Sequence, residues 1–528
     1  MGAPSSWSRN KVAQRILAGD SLVIYGNLLL RIPQTWLDQH PGGSLAILHF
    51  VGRDASDEIH AYHCDQSINL IKKYVVGTVE TAEHGWEPLV PPVMTGWVRK
   101  LGKGGLLEWY NEAAAVHSPE DTELSPSSQI LLVQKDDDVL SAPSAPTLSS
   151  LIPPPTSLSL KVQADHSAAY KALHKRILDA GFYHTPYLTG YGPEVARYLL
   201  LATISAVAYS HNWLVTSAVF LGLVWHQLVF TAHDLGHMGV THNWVWDRLL
   251  AIFITDLIGG LSISWWVDNH NVHHLVTNHP SHDPDIEHIP FLAISPVFFK
   301  TLWSSYYKRP LIFDRFATLF ISIQHKLFYI IMAFGRFNLY VNSYGFLMRK
   351  AFDTRRARGG RWAWGLEVLA VLGFWCWFGS VLVGCGSWKM ALVYLVVSHT
   401  VTSPLHVQIV LSHFSMSTAD LGPTESFPHR QLRTTTDVIC PPSLSFLHGG
   451  LHLQVTHHLF PRLPRHNLRA ASVLVKEFAR ERGLVYAEFG FREGNGAVVG
   501  VLRGVAEQVA IVGRVADAEV KEKLTKAI

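Results

Sequence analysis

Eight histidines stand in a pattern suited to holding metal: His233 with His237, His270 with His273 and His274, His457 with His458, and a single His413 upstream of the last pair. His233 and His237 are four residues apart, as are His270 and His274, so each pair projects from one face of a helix. Neutral imidazole suits iron, copper, zinc and nickel, and a site built almost wholly from histidine leaves positions open for a small ligand such as dioxygen. Redox chemistry at a metal centre is therefore the first expectation. With 30 histidines in 528 residues some fall close together by chance, and isolated ones such as His211, His325 and His466 carry no signal. Three clusters, each containing a tight pair, do. His413 lies in Val410-Leu411-Ser412-His413-Phe414, at the end of an apolar run from which it can reach the same site.

A second chemistry stands near the N-terminus, in His40-Pro41-Gly42-Gly43, the string VGRDASD at 51–57, and His63. Pro41 and the two glycines permit a tight turn and close backbone approach, and Leu30, Ile32, Leu45, Leu48, Phe50 and Ile71 offer an apolar crevice. This stretch resembles the cytochrome b5 domain, although Cys64 stands where that family more often has a small polar residue or proline. The resemblance implies haem b ligated by His40 and His63 from opposite faces. Two axial ligands leave no vacancy for dioxygen, so such a domain passes single electrons and the histidine clusters consume them.

The elements that position these groups are read from composition. Hydrophobic residues make up 48% of the chain and charged residues 16%, with 17 Trp, 17 Tyr and 25 Phe, as expected for a protein in contact with membrane lipid. Apolar runs over 195–232, broken at Ser210, His211 and Asn212, predict a hairpin of two spanning helices. A second hairpin has arms at 364–383 and 390–411 joined by a small Gly-containing loop, making four spans in all. The shorter runs 249–263 and 316–334 carry interior polar residues and read as helices lying in the interface. Arg349, Lys350, Arg355, Arg356, Arg358 and Arg361 crowd the start of the third span while both hairpin loops are nearly uncharged, so the middle segment is expected on the cytosolic side. An even number of crossings then places every histidine cluster on that one face.

The expected fold is a small α+β haem domain followed by an all-α integral membrane domain with a cytosolic helical cap. Its divisions are 1–100 for the haem unit, 101–165 for a Pro/Ser-rich linker with the acidic run Asp136, Asp137 and Asp138, 166–490 for the membrane unit, and 491–528 for a C-terminal amphipathic tail. No positively charged leader with an apolar core opens the chain, so no secretory signal is expected. The four cysteines show neither zinc nor redox spacing, and the formal charge of +3 points to anionic lipid rather than nucleic acid.

The strings HDLGH at 233–237, HNVHH at 270–274 and QVTHH at 454–458, behind a cytochrome b5 domain, resemble the front-end lipid desaturases. Further matching text is WWVDNHNVHH at 265–274, DPDIEHIP at 283–290 and HHLFPRLPRHNL at 457–468. Gln454 stands where the third box of other desaturases begins with histidine, and Thr456 departs from an acidic residue common in the family. Within the family the chain is most similar to the fungal sphingolipid 8-desaturases, by YGNLLLRIP at 25–33 and HNWVWDRLLAIFITDLIGGLSISWW at 242–266. That resemblance implies oxygen-dependent insertion of a trans double bond into the long-chain base of a ceramide or related sphingolipid. It also implies two iron ions held by His233, His237, His270, His273, His274, His413, His457 and His458, and electrons from a membrane-bound NADH-cytochrome b5 reductase. Gln454 is expected to orient a ligand rather than bind metal, and Asp234, Asn271, Asp268 and Asp437 are candidates to hydrogen-bond outer imidazole N–H groups. The reductase points to the endoplasmic reticulum. Trp225, Phe230, Phe374 and Trp377 are candidates for a tunnel wall, with packing in the core as the equal alternative. Three other functions share these features: a front-end acyl desaturase acting on phospholipid- or coenzyme A-linked chains, a haem-fused lipid hydroxylase, and a membrane-anchored electron carrier whose second metal site is structural.

Overall fold

Strands β1 (Ser6–Trp7), β2 (Ser21–Tyr25), β3 (Leu28–Ile32) and β4 (Val75–Val79) form one sheet in the order β1-β4-β3-β2, seen in a computed structural model that describes residues 5–102, 104–114, 144–353 and 360–526. Strand alternation gives the sheet two different faces. Leu22, Ile24 and Leu29 pack with Val12 and Ile16 of α1 (Arg9–Leu17), whereas Val23, Leu30 and Ile32 face a crevice with Phe50, Ile59 and Ile71. Four short helices wall that crevice: α2 (Gln34–Gln39), α3 (Leu45–Leu48), α4 (Ser56–Tyr62) and α5 (Asp65–Ile71). Of the residues expected to line it, Leu30, Ile32, Phe50 and Ile71 do so. Leu45 and Leu48 do not line it.

The acidic run Asp136 to Asp138 lies outside the described residues, as do Arg355, Arg356 and Arg358 of the basic belt. On the near side of the linker, Leu151 is buried in the α1 core and its carbonyl accepts from the Val90 N–H, so this part of the chain is laid along the haem unit.

Apart from three two-stranded sheets, Trp97–Leu101 with Leu107–Asn111, Leu302–Ser304 with Arg309–Leu311 and Asp437–Ile439 with Glu488–Gly490, the remainder is mainly helical. α6 (Leu160–Asp179) precedes the hairpin of α7 (Gly192–Ser210) and α8 (Leu214–Gly236), which turns at Asn212 with φ of 59°. α9 (Trp244–Ala251) continues as a π-helical stretch, Ile252–Ile258, and bends by 110° into α10 (Ile263–Leu275). α11 (Arg315–Ser322) and α12 (Gln324–Ala333) are bent by 92°. α13 (Gly335–Ala351) leads to the second hairpin, α14 (Gly360–Val383) with α15 (Trp388–Thr400), and α16 (Ser403–Leu411) extends the latter. α17 (Phe427–Thr434), α18 (Gln454–Leu459), α19 (Leu468–Glu481) and α20 (Phe491–Lys526) complete the chain.

Among the described residues four helical segments are long and apolar enough to cross a membrane: Leu214–Gly236, Gly360–Val383, Trp388–Leu411 and Phe491–Val515. The protein is a membrane protein. The count matches the expectation, but one member differs. α7 falls short because Gly192, Pro193, Glu194, Arg197 and two tyrosines dilute its nineteen residues. The C-terminal segment takes its place in that count. Rather than lying apart, α20 buries Val498, Leu502, Val505 and Val509 in one core with Ile321, Phe328, Val407 and Leu411.

Candidate metal centre

α8 carries His233 in its last turn and His237 at its C-cap, α10 carries His270, His273 and His274, and α18 carries His457 and His458. His413 lies two residues past α16. These elements bring all eight expected ligands together in two groups. Ligand atoms of His233, His237, His270, His274 and His457 lie within 4.8 Å of one another, as do those of His273, His413 and His458. The groups adjoin, since the His274 and His458 rings stack with centroids 4.0 Å apart.

The spacing inside the first group fits a shared cation. Nε2 of His270 lies 3.3 Å from that of His233 and 3.0 Å from that of His274, which is 3.2 Å from that of His457. Metal–imidazole bonds of about 2.0–2.1 Å, at near-tetrahedral or octahedral angles, put neighbouring ligand nitrogens about 3 Å apart. The Nε2 atoms of His237 and His458 are buried and have no hydrogen-bond partner, the state of a lone pair prepared for a metal. Burial first, then His413 and His273, holds His458 well below the usual imidazole range, so it is neutral and able to ligate.

Outward hydrogen bonds set the rings of the second group. His273 Nδ1 lies 3.0 Å from both carboxylate oxygens of Asp283, which also accepts from the N–H groups of Asn278 and Asp285. His458 Nδ1 pairs with Gln431 Oε1 at 3.0 Å, while Gln431 Nε2 donates to the His274 carbonyl at 2.8 Å. His413 Nδ1 pairs with the Thr434 carbonyl at 3.2 Å. Each bond aims Nε2 inward.

Asp283 and Gln431 were not among the expected orienting residues. Asp283 had a signal, because it opens the DPDIEHIP run ten residues after His273. Gln431 had none. The carboxylates that were expected do other work. Asp234 stands 3.7 Å from His233 Nδ1, and its other oxygen accepts from Tyr191 and Arg465. Asp268 and Asn271 face Gly43 and Gly42 of the haem unit. Asp437 accepts from the Val455 N–H at 2.9 Å and from the Tyr486 hydroxyl, and so holds the first turn of α18. Gln454 is buried in that turn. Trp225, Phe374 and Trp377 pack in one apolar core and Phe230 in another, so these four are core residues.

In the haem unit the rings of His40 and His63 face each other with centroids 6.1 Å apart. Two metal–nitrogen bonds of about 2 Å plus the two ring half-widths fill that gap. Nδ1 of His40 pairs with the Gly43 carbonyl at 2.9 Å, and Nδ1 of His63 with the Ile59 carbonyl at 3.1 Å, which turns both Nε2 atoms into the crevice. Burial, then the neighbouring His40, lowers His63 to about 3, again a neutral ligand. The crevice is the larger part of a cavity of about 370 Å³ that continues past Val267 and Leu275 to Leu235 and His237. Of the first histidine group, His237 lines the same cavity as the haem crevice.

These features define a membrane protein in which an N-terminal unit with a bis-histidine crevice packs against two histidine groups able to hold metal. Residues 210–490 match the fatty acid desaturase family and residues 9–80 the cytochrome b5-like haem/steroid binding domain. The chain belongs to the fatty acid desaturase family. It is 41% identical to a Delta 8-(E)-sphingolipid desaturase of Emericella nidulans, covering 96% of this chain and 95% of that one. A protein of the same name from Komagataella phaffii is 41% identical over 96% and 94%, and one from Candida albicans 38% identical over 96% of each. A Delta(8)-fatty-acid desaturase of Helianthus annuus is 35% identical over 65% of this chain and 74% of its own length. The cytochrome b5-like domain implies haem, and the desaturase family implies iron.

Proposed function

We propose that this chain is a sphingolipid 8-(E)-desaturase that acts on the long-chain base of a ceramide or related lipid. Full-length similarity to relatives of that name supports the substrate, and the cavity joining His40 and His63 to His237 supports the electron route. A CH2–CH2 pair becomes CH=CH, and the two hydrogens, with two electrons and two protons, reduce dioxygen to two waters. His40 and His63 would hold haem b, which would supply single electrons drawn from an NADH-cytochrome b5 reductase. His233, His237, His270, His274 and His457, and His273, His413 and His458, would hold two irons, which would supply the oxygen chemistry that no side chain performs.

The protein's own residues do the rest. Asp283, Gln431 and the Thr434 carbonyl keep the imidazole rings aimed, and Gln454 orients rather than ligates because an amide oxygen is a poorer ligand than imidazole. Leu235, Ile263 and Val267 give the cavity near His237 an apolar wall that excludes water and receives alkyl chain. The membrane is that of the endoplasmic reticulum, with haem unit and histidines on the cytosolic side.

The test is mass-spectrometric profiling of sphingoid bases and fatty acids in a host lacking this activity, with the wild-type chain and His457→Ala. A new C8-unsaturated base present only with the wild type is expected. Changed fatty acids alone would make the chain an acyl desaturase, hydroxylated bases a hydroxylase, and no change in either lipid would reject the enzyme reading.

A further inference from the structure

Arg462 is a largely buried arginine that no carboxylate pairs with among the described residues. Its residue is 9% exposed, and its Nε is buried with no hydrogen-bond partner. It belongs to the segment after α18, yet it lines the haem cavity beside His63 and Cys64, with its guanidinium carbon 5.7 Å from the Tyr183 ring centroid. A buried arginine Nε with no acceptor is a donor that a carboxylate can satisfy. The other arginine on this cavity wall is paired, since Arg248 donates to Ser264 at 2.9 Å and lies 3.6 Å from Glu367. The acids on the wall do not neutralise Arg462. Asp247 accepts from the Thr241 N–H, and Glu58 is influenced by Arg53 and Arg430 on another side.

Haem b has one apolar edge and one edge bearing two propionates. The inner end of the crevice is Val23, Leu30, Ile32 and Phe50, where a carboxylate has no donor. The charged edge must therefore point toward the end that the desaturase unit closes. We propose that Arg462 holds a haem propionate, so the crevice of the N-terminal unit receives its carboxylate anchor from the C-terminal part of the chain. This rests on the haem reading above. It makes haem loading and docking of the two units one coupled event, because the ligand is held by His40 and His63 on one side and by Arg462 on the other.

The experiment uses the full-length protein, stripped of haem and reconstituted with either protohaem or its dimethyl ester, whose propionates carry no charge. Haem release to an apo-globin acceptor is followed by the Soret band for wild type, Arg462→Gln and Arg462→Lys. With protohaem, Arg462→Gln is expected to release about tenfold faster or more, the weight of one charge-assisted hydrogen bond, with Arg462→Lys in between. With the dimethyl ester the wild type and both variants should coincide. Equal release with protohaem, or a gap that persists with the ester, overturns the proposal. If Arg462→Gln fails to fold, the same comparison between wild type and Arg462→Lys decides it. A wild-type protein without a low-spin bis-histidine spectrum would instead reject the haem reading on which this one stands.

Discussion

The Tyr62 ring meets the His274 ring edge-on, with centroids 6.4 Å apart and planes at 86°. Tyr62 precedes His63 in the chain, so one side chain stands between the crevice and the histidine group. Tyr62→Leu should reduce turnover several-fold while leaving the bis-histidine spectrum and reduction of the haem by its reductase unchanged. Stopped-flow reduction alongside product formation checks this, and unaltered turnover would exclude Tyr62 from the electron path.

Asp283 holds His273 through both carboxylate oxygens. Replacing such an orienting carboxylate typically costs about 10–100-fold in metal affinity or activity. Asp283→Asn is expected to lower bound iron per chain without loss of haem, measured by elemental analysis against the Soret band. Full iron content with full activity would contradict the assignment.

Burial pushes the Asp437 carboxyl from 3.8 up to about 7, against the pull of the Tyr486 hydroxyl and the Val455 N–H. A carboxyl raised by folding favours the folded state fully below its unfolded pKa and loses that contribution as pH rises through the folded value. Stability should therefore decline between about pH 4 and 7 from this group, and Asp437→Asn, whose amide oxygen still accepts from the Val455 N–H while its NH2 can donate to the Tyr486 oxygen, should flatten that part of the profile. Thermal unfolding across this range tests it; an unchanged slope in the variant would refute the assignment.

Arg465 is 3% exposed and bonds both Asp234 and Glu194, tying α8 and α7 to the segment after α18. Removing it strands two carboxylates in a buried setting, a loss of about 3–5 kcal/mol. Arg465→Met should lower the thermal midpoint markedly, while Arg465→Met combined with Asp234→Asn and Glu194→Gln should recover part of it.

Gly43 has φ of 83°, and a Cβ there would lie 2.5 Å from Asp268 Oδ1. Gly43→Ala therefore strains the backbone and pushes the haem unit off α10. Faster hydrogen exchange at α10 with an intact haem spectrum is the expected result. Adding Asp268→Ala should relieve the contact but not the backbone strain.

Much of this site is legible along the chain. The i, i+4 spacing in α8 and α10 places pairs of histidines together within one helix, and the HPGG turn with His63 marks the haem crevice, because these are local relationships. Asp283 was visible only as neighbouring text, and Gln431 not at all. Its partner His458 is 27 residues away and its other contact, the His274 carbonyl, 157 residues away. The hairpin at 195–232 was readable from hydropathy, yet the role of α20 was not, since the residues that bury Val498 and Leu502 come from α11, α12 and α16.

The sequence by itself determined the chemistry: which imidazoles are available, that they come in tight pairs, that a one-electron carrier precedes them, and that apolar helices surround them. Only the tertiary structure decided how the eight histidines divide into five and three, which carboxylate aims His273, and that the haem crevice opens toward His237. The reason is physical. Residue type and helical period act over one or two turns, whereas the division of ligands depends on how α8, α10 and α18 cross, and that is set by packing between residues as far apart as His274 and His457.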